Sequence, residues 1–497
     1  MSPPPPGGRP YALRRMRLNK LSATAIVLIV ICAAGFGLRA VKVFEPNPVP
    51  GDDARAYYAL ASSLYEDGTF GGPDFNNASD WSPGAPLLYA GMFYVTGGPR
   101  EGTIRALQAL LGLAAILVAF ALARRLARGS GRMDLAGLLA AGGVAFYPPF
   151  IHSTGAAMSE PLAVLLLPAT LLATLWAADR SAGRGAAEGS GAAPAGGHGD
   201  GTAGGRAGGS TATDDDGATP RSGRGQLEWL VPGLLAGLLA LARPEYLVVG
   251  VALAVIVAWV AGEHRVRRGF ASGTLFLLAL AVPVIPWTVH NLNTLERLVP
   301  ISTGSGKALY VGTYMPGDGD YQRTKAILAE QQLGVEHEPG SPELDAVEPR
   351  PLFDTIAEAE NPDLPRDTAL GRVGREQLSE NLSERPGEYA AMLGRKVWRM
   401  WSTGQGAVAR SVPGRVVQVL LVLAGLAGLV VLARRRRWLE LVLCGLPVAA
   451  VSAIGAVTLA SDRRAQILMA VMLPLAAVAL AALAERRDGA RRILSGP

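Results

Sequence analysis

Apolar runs, each about as long as one bilayer-spanning helix, recur along almost the whole chain. A hydrocarbon core about 30 Å thick takes roughly 20 residues of helix. On that measure the pattern predicts ten spans, at residues 21–39, 103–124, 134–149, 159–178, 228–243, 245–261, 270–289, 415–433, 438–459 and 465–484. The first follows Arg14, Arg15, Arg17 and Lys20. A cleaved leader is the competing reading, but no small-residue cleavage site leads into a soluble domain. Residues 228–261 read as two short helices, because Pro244 disfavours helix at Arg243. A single kinked helix is the alternative, and it would invert every later segment.

The polar stretches divide the chain. Residues 1–20, with Pro3 to Pro6, read as a disordered cytoplasmic N-terminus. Residues 21–178 form a membrane region interrupted by a first outer loop at 40–102. Residues 179–227 hold a Gly/Ala/Ser/Thr tract with Asp214-Asp215-Asp216. They carry too little large apolar surface to offset chain entropy and read as a disordered cytoplasmic loop. A second membrane region, 228–290, precedes an extracytoplasmic loop region, 291–414, long enough to be functional. Residues 415–484 form the C-terminal membrane region, and 485–497 a cytoplasmic tail. The predicted class is an all-α polytopic membrane protein of about ten transmembrane helices, with the larger outer loop before the last three.

Composition agrees. Of 497 residues, 49% are hydrophobic and only 18% charged, and the mean hydropathy is +0.26. These values exclude a disordered chain and argue against a soluble enzyme, whose surface needs more charge. The net charge of +6 would suit nucleic acid only as a basic patch on a folded surface. Here the arginines flank apolar runs instead: Arg124/Arg125/Arg128/Arg132, Arg180/Arg184, Arg265/Arg267/Arg268, Arg434 to Arg437, and Arg486/Arg487/Arg491/Arg492. With ten spans all five clusters fall on the side of the N-terminus, which the positive-inside rule makes cytoplasmic. No nucleic-acid partner is expected. Cys32 and Cys444 lie inside apolar runs and give no disulfide framework. His152, His264 and His290 are too scattered for a metal site.

Candidate chemistry gathers on the other side. In the first outer loop Asp53 and Tyr57 are four apart and share a helix face, with an apolar stripe at Leu60, Ala61 and Leu64. A second short helix follows Trp81-Ser82-Pro83, and such amphipathic helices lie along a membrane surface. Asp52 or Asp53 either caps its helix or takes part in chemistry. Glu160 either caps the helix that begins near Pro161 or meets a substrate. Arg463 either snorkels at the interface or binds an anion, and Arg464 reads as a snorkelling residue. Asp53, Glu160, Arg243, Glu245, His290 and Arg463 all map to the outer side, and ionisable groups beside spans are costly and often functional.

These residues carry a resemblance. A basic N-terminus and one span lead to Asp53-x-x-x-Tyr57-x-x-x-Ala61-x-x-Leu64, a Gly and a Pro-rich turn. Ser159-Glu160-Pro161-Leu162, Arg243-Pro244-Glu245, Pro286-Trp287-Thr288-Val289-His290-Asn291 and the Gly-bearing stretch Ser302 to Gly312 follow in order. The whole resembles the GT-C superfamily of membrane glycosyltransferases. It is nearest to the branch of protein O-mannosyltransferases and lipid A aminoarabinose transferases, glycosyltransferase family 39-like. One departure is His290, where the family often has Arg, which turns attention to Lys307 for phosphate.

The resemblance implies a hexosyl- or pentosyltransferase in the cytoplasmic membrane, its active site facing outside. The donor would be a polyprenyl-phosphate sugar and the acceptor a protein, glycan or lipid. Transfer needs one carboxylate base and cations around the leaving phosphate. Asp53 is the expected base and Asp52 the second choice. Tyr57, Glu160, Arg243, Glu245, His290, Lys307 and Arg463 are the expected substrate-binding residues. No cofactor or metal ligand set is predicted, although Asp53 with Glu160 forms a pair able to hold one divalent cation. The Ala/Gly/Arg/Pro-rich usage points to a GC-rich bacterial genome. A transporter or lipid flippase, or a non-catalytic lipid-binding relative, are the competing classes. Transporters tend to show repeated halves, and none is visible here.

Overall fold

The computed structural model describes residues 22–45, 52–71, 78–190, 226–262 and 266–494. The expected disordered N-terminus, most of the 179–227 loop, and His264 lie outside the described residues. Among those described, all regular structure is helical. The order is α1 (Ala23–Val43), α2 (Asp52–Glu66), α3 (Gly84–Thr96), α4 (Glu101–Leu126), α5 (Met133–Phe146), α6 (Pro148–His152) and α7 (Glu160–Ser190). Then come α8 (Leu230–Ala242), α9 (Tyr246–Ala261), α10 (Val266–Leu295), α11 (Ser305–Thr313), α12 (Tyr321–Leu333), α13 (Pro342–Ala346) and α14 (Pro349–Glu360). The chain closes with α15 (Arg366–Glu384), α16 (Pro386–Ser402), α17 (Ala407–Arg410), α18 (Val412–Arg434), α19 (Trp438–Val457) and α20 (Asp462–Leu494).

Each of the ten predicted stretches falls on helix, but fewer meet the length and apolarity of a full span. Seven do so alone: α1, α4, the part of α7 to Ala182, α10, α18, α19 and α20 to Asp488. α5 and the helical stretch from α6 to Gly155, bent by 50° to each other, meet the same measure only when taken together as one broken span. α8 and α9 are shorter apolar helices of 13 and 16 residues. At 1.5 Å per residue they rise about 20 and 24 Å, less than the hydrocarbon thickness. The reason is in the sequence: Pro244 ends α8 before Arg243 can continue it. Two helices outrun their apolar runs, α7 to Ser190 and α20 to Leu494.

The bend between α5 and α6 comes from Pro148 and Pro149, which cannot donate to the carbonyls one turn back. Arg39 of α1 supplies the missing donors. Its Nη1 and Nη2 donate to Ala145 O and Val144 O, both at 2.9 Å, and the side chain is wholly buried. An arginine inside a span is thus held by freed backbone oxygens rather than by a carboxylate.

The buried core runs through α4, α5, α7, α8, α9 and α20, with α20 the most enclosed. Two smaller cores stand at one end. One joins α2 and α3 through Tyr57, Ala61, Ala85, Tyr89 and Phe93. The other holds α11 to α15 together through Tyr310, Val311, Leu328, Phe353 and Leu370. The two long inter-span segments therefore pack as helical bodies. They are latched to each other: Thr303 N donates to Ser79 O at 2.7 Å, and Arg366 Nη2 donates to Asp80 Oδ2 at 3.1 Å.

Candidate active site

The charged residues at the loop-bearing end arrive from five places: α2, the start of α7, the α8–α9 turn, α17, and the start of α20. Each is fixed locally. Pro161 favours a helix start, so Glu160 opens α7. The approach to it is pinned by Gln108 Nε2, which donates to Ala156 O at 2.7 Å, and by the Tyr89 hydroxyl, which donates to Met158 O. α3 begins at Gly84, where a side chain would strike the backbone of Leu241 and Ala242. That close approach seats the first loop against Arg243.

The side chains then converge. Glu160 is completely buried, and neither carboxylate oxygen caps its own helix by a hydrogen bond. Instead Oε1 stands 2.6 Å from Arg243 Nη2 and 3.4 Å from Arg463 Nε. Arg463 also pairs with Asp53. Arg464 Nε lies 3.7 Å from Glu245 Oε1, and Arg410 Nη2 is 4.0 Å from Asp462 Oδ2. Four carboxylates thus face four guanidiniums. Glu160 and Arg243 form the buried half, while the side chains of Asp53 and Arg463 keep 33% and 27% exposure. A ligand reaches the second pair first. Burial works against the charge on Arg243, but Glu160 and Glu245 outweigh it and raise its pKa.

Tyr57 is buried beside this cluster. Its hydroxyl donates to Ser159 Oγ at 3.3 Å and its ring meets Trp81 edge-on at 5.3 Å. Burial pushes the phenol up, so it stays a neutral hydrogen-bonding group.

The structure brings together Asp53, Tyr57, Glu160, Arg243, Glu245 and Arg463, and leaves two predicted residues apart. His290 is exposed, and its ring lies tilted against that of Trp287, centroids 4.8 Å apart. Lys307 sits over the Tyr321 and Phe353 rings at about 6 Å, on the α11–α15 body. The Asp52 side chain lies outside the described residues. The Pro-Trp element is a brace: Trp287 Nε1 donates to Ile301 O at 2.7 Å, and Asn291 Nδ2 to Val299 O and Ile301 O at 2.9 Å. Sequence reasoning missed Arg410 and Asp462, and read Arg464 only as a snorkelling candidate; it turns inward instead.

Between Asp53 and Glu160, the pair that the sequence offered for a divalent cation, stands the Arg463 guanidinium, paired with both. Among the described residues no three His, Cys, Asp or Glu side chains converge.

The support of this end includes a buried lysine. Lys396 of α16 is fully enclosed, and its Nζ donates to Gly312 O at 2.7 Å and Ala456 O at 2.6 Å, next to the turn that leads to Arg463. Burial, with Arg399 and Arg464 nearby, pulls its pKa from 10.5 to about 7, against the opposing pull of Asp318. The unfolded chain keeps this proton to about pH 10.5 and the folded chain only to about pH 7, so stability rises with pH across that window. Lys396→Met is expected to remove about 1 kcal/mol per pH unit of that slope. Thermal unfolding in detergent from pH 7 to pH 9 measures it; an unchanged slope would refute the lowered pKa of Lys396.

No family model and no curated protein matches the sequence. Solved structures do. The oligosaccharyltransferase of Archaeoglobus fulgidus aligns in its apo form over 95% of this chain and 52% of its own, at 16% identity and a TM-score of 0.54. The oligosaccharyltransferase AglB from Archaeoglobus fulgidus, in complex with an inhibitory peptide and a dolichol-phosphate, aligns over 94% of this chain and 51% of its own, at 15% identity and a TM-score of 0.52. ArnT from Cupriavidus metallidurans bound to undecaprenyl phosphate aligns over 93% and 79%, at 15% identity and 0.39. The chain spans about half the length of the archaeal enzyme. The chain shares the fold of the part of the archaeal oligosaccharyltransferase that it aligns with.

Proposed function

We propose that this chain is an integral membrane glycosyltransferase. It would move one sugar from a polyprenyl-phosphate donor to a hydroxyl acceptor outside the cytoplasmic membrane. The observation that supports this most is the partly open Asp53–Arg463 pair above the buried Glu160–Arg243 pair, at one end of an apolar bundle. The archaeal structure that holds a dolichol-phosphate has the same fold, which suits such a donor.

In the free protein Arg463 neutralises Asp53. A donor phosphate competes for that guanidinium, and its arrival releases the Asp53 carboxylate. The acceptor hydroxyl then gives its proton to Asp53, and its oxygen bonds to the anomeric carbon. The bond from that carbon to the phosphate oxygen breaks, and the electron pair leaves with the phosphate. Arg463, with Arg243 behind it, holds the developing charge. Attack opposite the leaving group inverts the anomeric centre. The acceptor is a protein, glycan or lipid. Asp52 is the second choice for the base.

The reading ties phosphate binding to Arg463. Arg463→Gln is expected to weaken binding of a polyprenyl phosphate about tenfold or more, since a charge-assisted contact contributes about 1.5–3 kcal/mol. Titration of the purified protein with labelled lipid measures this, and equal affinities would remove Arg463 from the site.

A further inference from the structure

The far end of the bundle carries a basic groove that sugar transfer does not use. α18 and α20 pack tightly at Gly425 and Gly428, where any side chain would strike Met472 and the Leu475 backbone. Beyond that contact lies a groove of about 290 Å³ lined by Val431, Arg434, Arg435, Ala482, Glu485 and Arg486. Glu485 is already engaged: Arg435 Nη2 lies 2.8 Å away, and Ser130 Oγ and Gly131 N donate to it at 2.9 and 3.3 Å. Arg434 and Arg486 are exposed and have no ion-pair or hydrogen-bond partner among the described residues. The lining therefore offers two unspent guanidiniums above an apolar floor.

The level of the groove fits a lipid headgroup. Along α20, Arg486 lies about 35 Å from Arg463, a little more than the hydrocarbon thickness. Exposed Trp438 follows the arginine run directly, and Arg180 lies 3.7 Å over the Trp176 ring. Tryptophans of this kind mark bilayer interfaces. Basic pockets between helices at that depth suit anionic headgroups.

We propose that this groove binds an anionic phospholipid, with Arg434 and Arg486 on its phosphate and Val431 and Ala482 against an acyl chain. The proposal is independent of the transfer reaction. Native mass spectrometry of the full chain, released from nanodiscs of equal parts phosphatidylcholine and phosphatidylglycerol, tests it. The wild type is expected to retain phosphatidylglycerol about tenfold over phosphatidylcholine, from about 1 kcal/mol per arginine less competition at the surface. The double variant Arg434→Gln/Arg486→Gln is expected to lose that preference. Its unfolding temperature in pure phosphatidylcholine should match the wild type, which separates lost binding from lost folding. A preference kept by the variant, or absent in the wild type, overturns the site. So does inorganic phosphate alone stabilising the wild type as much as phosphatidylglycerol does.

Discussion

Asp53→Asn should lower sugar transfer by about a hundredfold to ten-thousandfold, the usual contribution of a positioned general base. Donor binding should survive. Asparagine keeps the size of the side chain but gives up the charge that holds Arg463, so the guanidinium becomes freer to meet a phosphate. The two readouts move in opposite directions: transfer falls sharply, while polyprenyl-phosphate affinity stays level or rises. A purely structural Asp53 would behave differently. Losing its ion pair at partial exposure costs about 1 kcal/mol or less and would leave transfer nearly intact. Single-turnover transfer and lipid titration on the same preparation separate these outcomes. Full transfer by Asp53→Asn would remove it as the base and direct the test to Asp52.

The second large effect is on stability. Arg243→Met leaves the fully buried Glu160 without its 2.6 Å partner. Stripping one member from a buried pair costs about 3–5 kcal/mol, because the other charge remains desolvated. Arg463, at 3.4 Å from the same oxygen, offsets part of this. Thermal unfolding should therefore shift down by several degrees. The double variant Glu160→Leu/Arg243→Met is expected to recover most of the loss, since a matched apolar pair carries no stranded charge, yet transfer should stay low. Equal instability of single and double variants would show that the pair is not the source of the cost. Transfer restored in the double variant would show that the pair plays no part in holding phosphate.

Much of the fold was readable because a span announces itself by composition. Every apolar run lies on helix, and the break at Arg243-Pro244 follows from proline alone. Helix beyond the apolar runs was not readable: α7 continues to Ser190 and α20 to Leu494 through segments with no apolar excess. The site was readable in part. Asp53, Tyr57, Glu160, Arg243, Glu245 and Arg463 converge, and each stood in a motif at a segment boundary. Their pairing was not written locally: Asp53 and Arg463 are 410 residues apart in the chain. Lys307 and His290 show the converse. Each lies in a motif, yet the packing of α11 against α15 and of Trp287 against Ile301 turns them to other neighbours. Lys396 gave no signal, since a lysine on an amphipathic helix ordinarily faces water.

Purified wild-type protein in liposomes is supplied with a panel of polyprenyl-phosphate sugars and cell-envelope acceptors, and free polyprenyl phosphate is followed together with sugar on the acceptor. The account predicts that at least one donor yields both products in equal amounts, and that Asp53→Asn yields neither at a comparable rate. Movement of intact lipid across the liposome membrane with no sugar released, by wild type and Asp53→Asn alike, would contradict it.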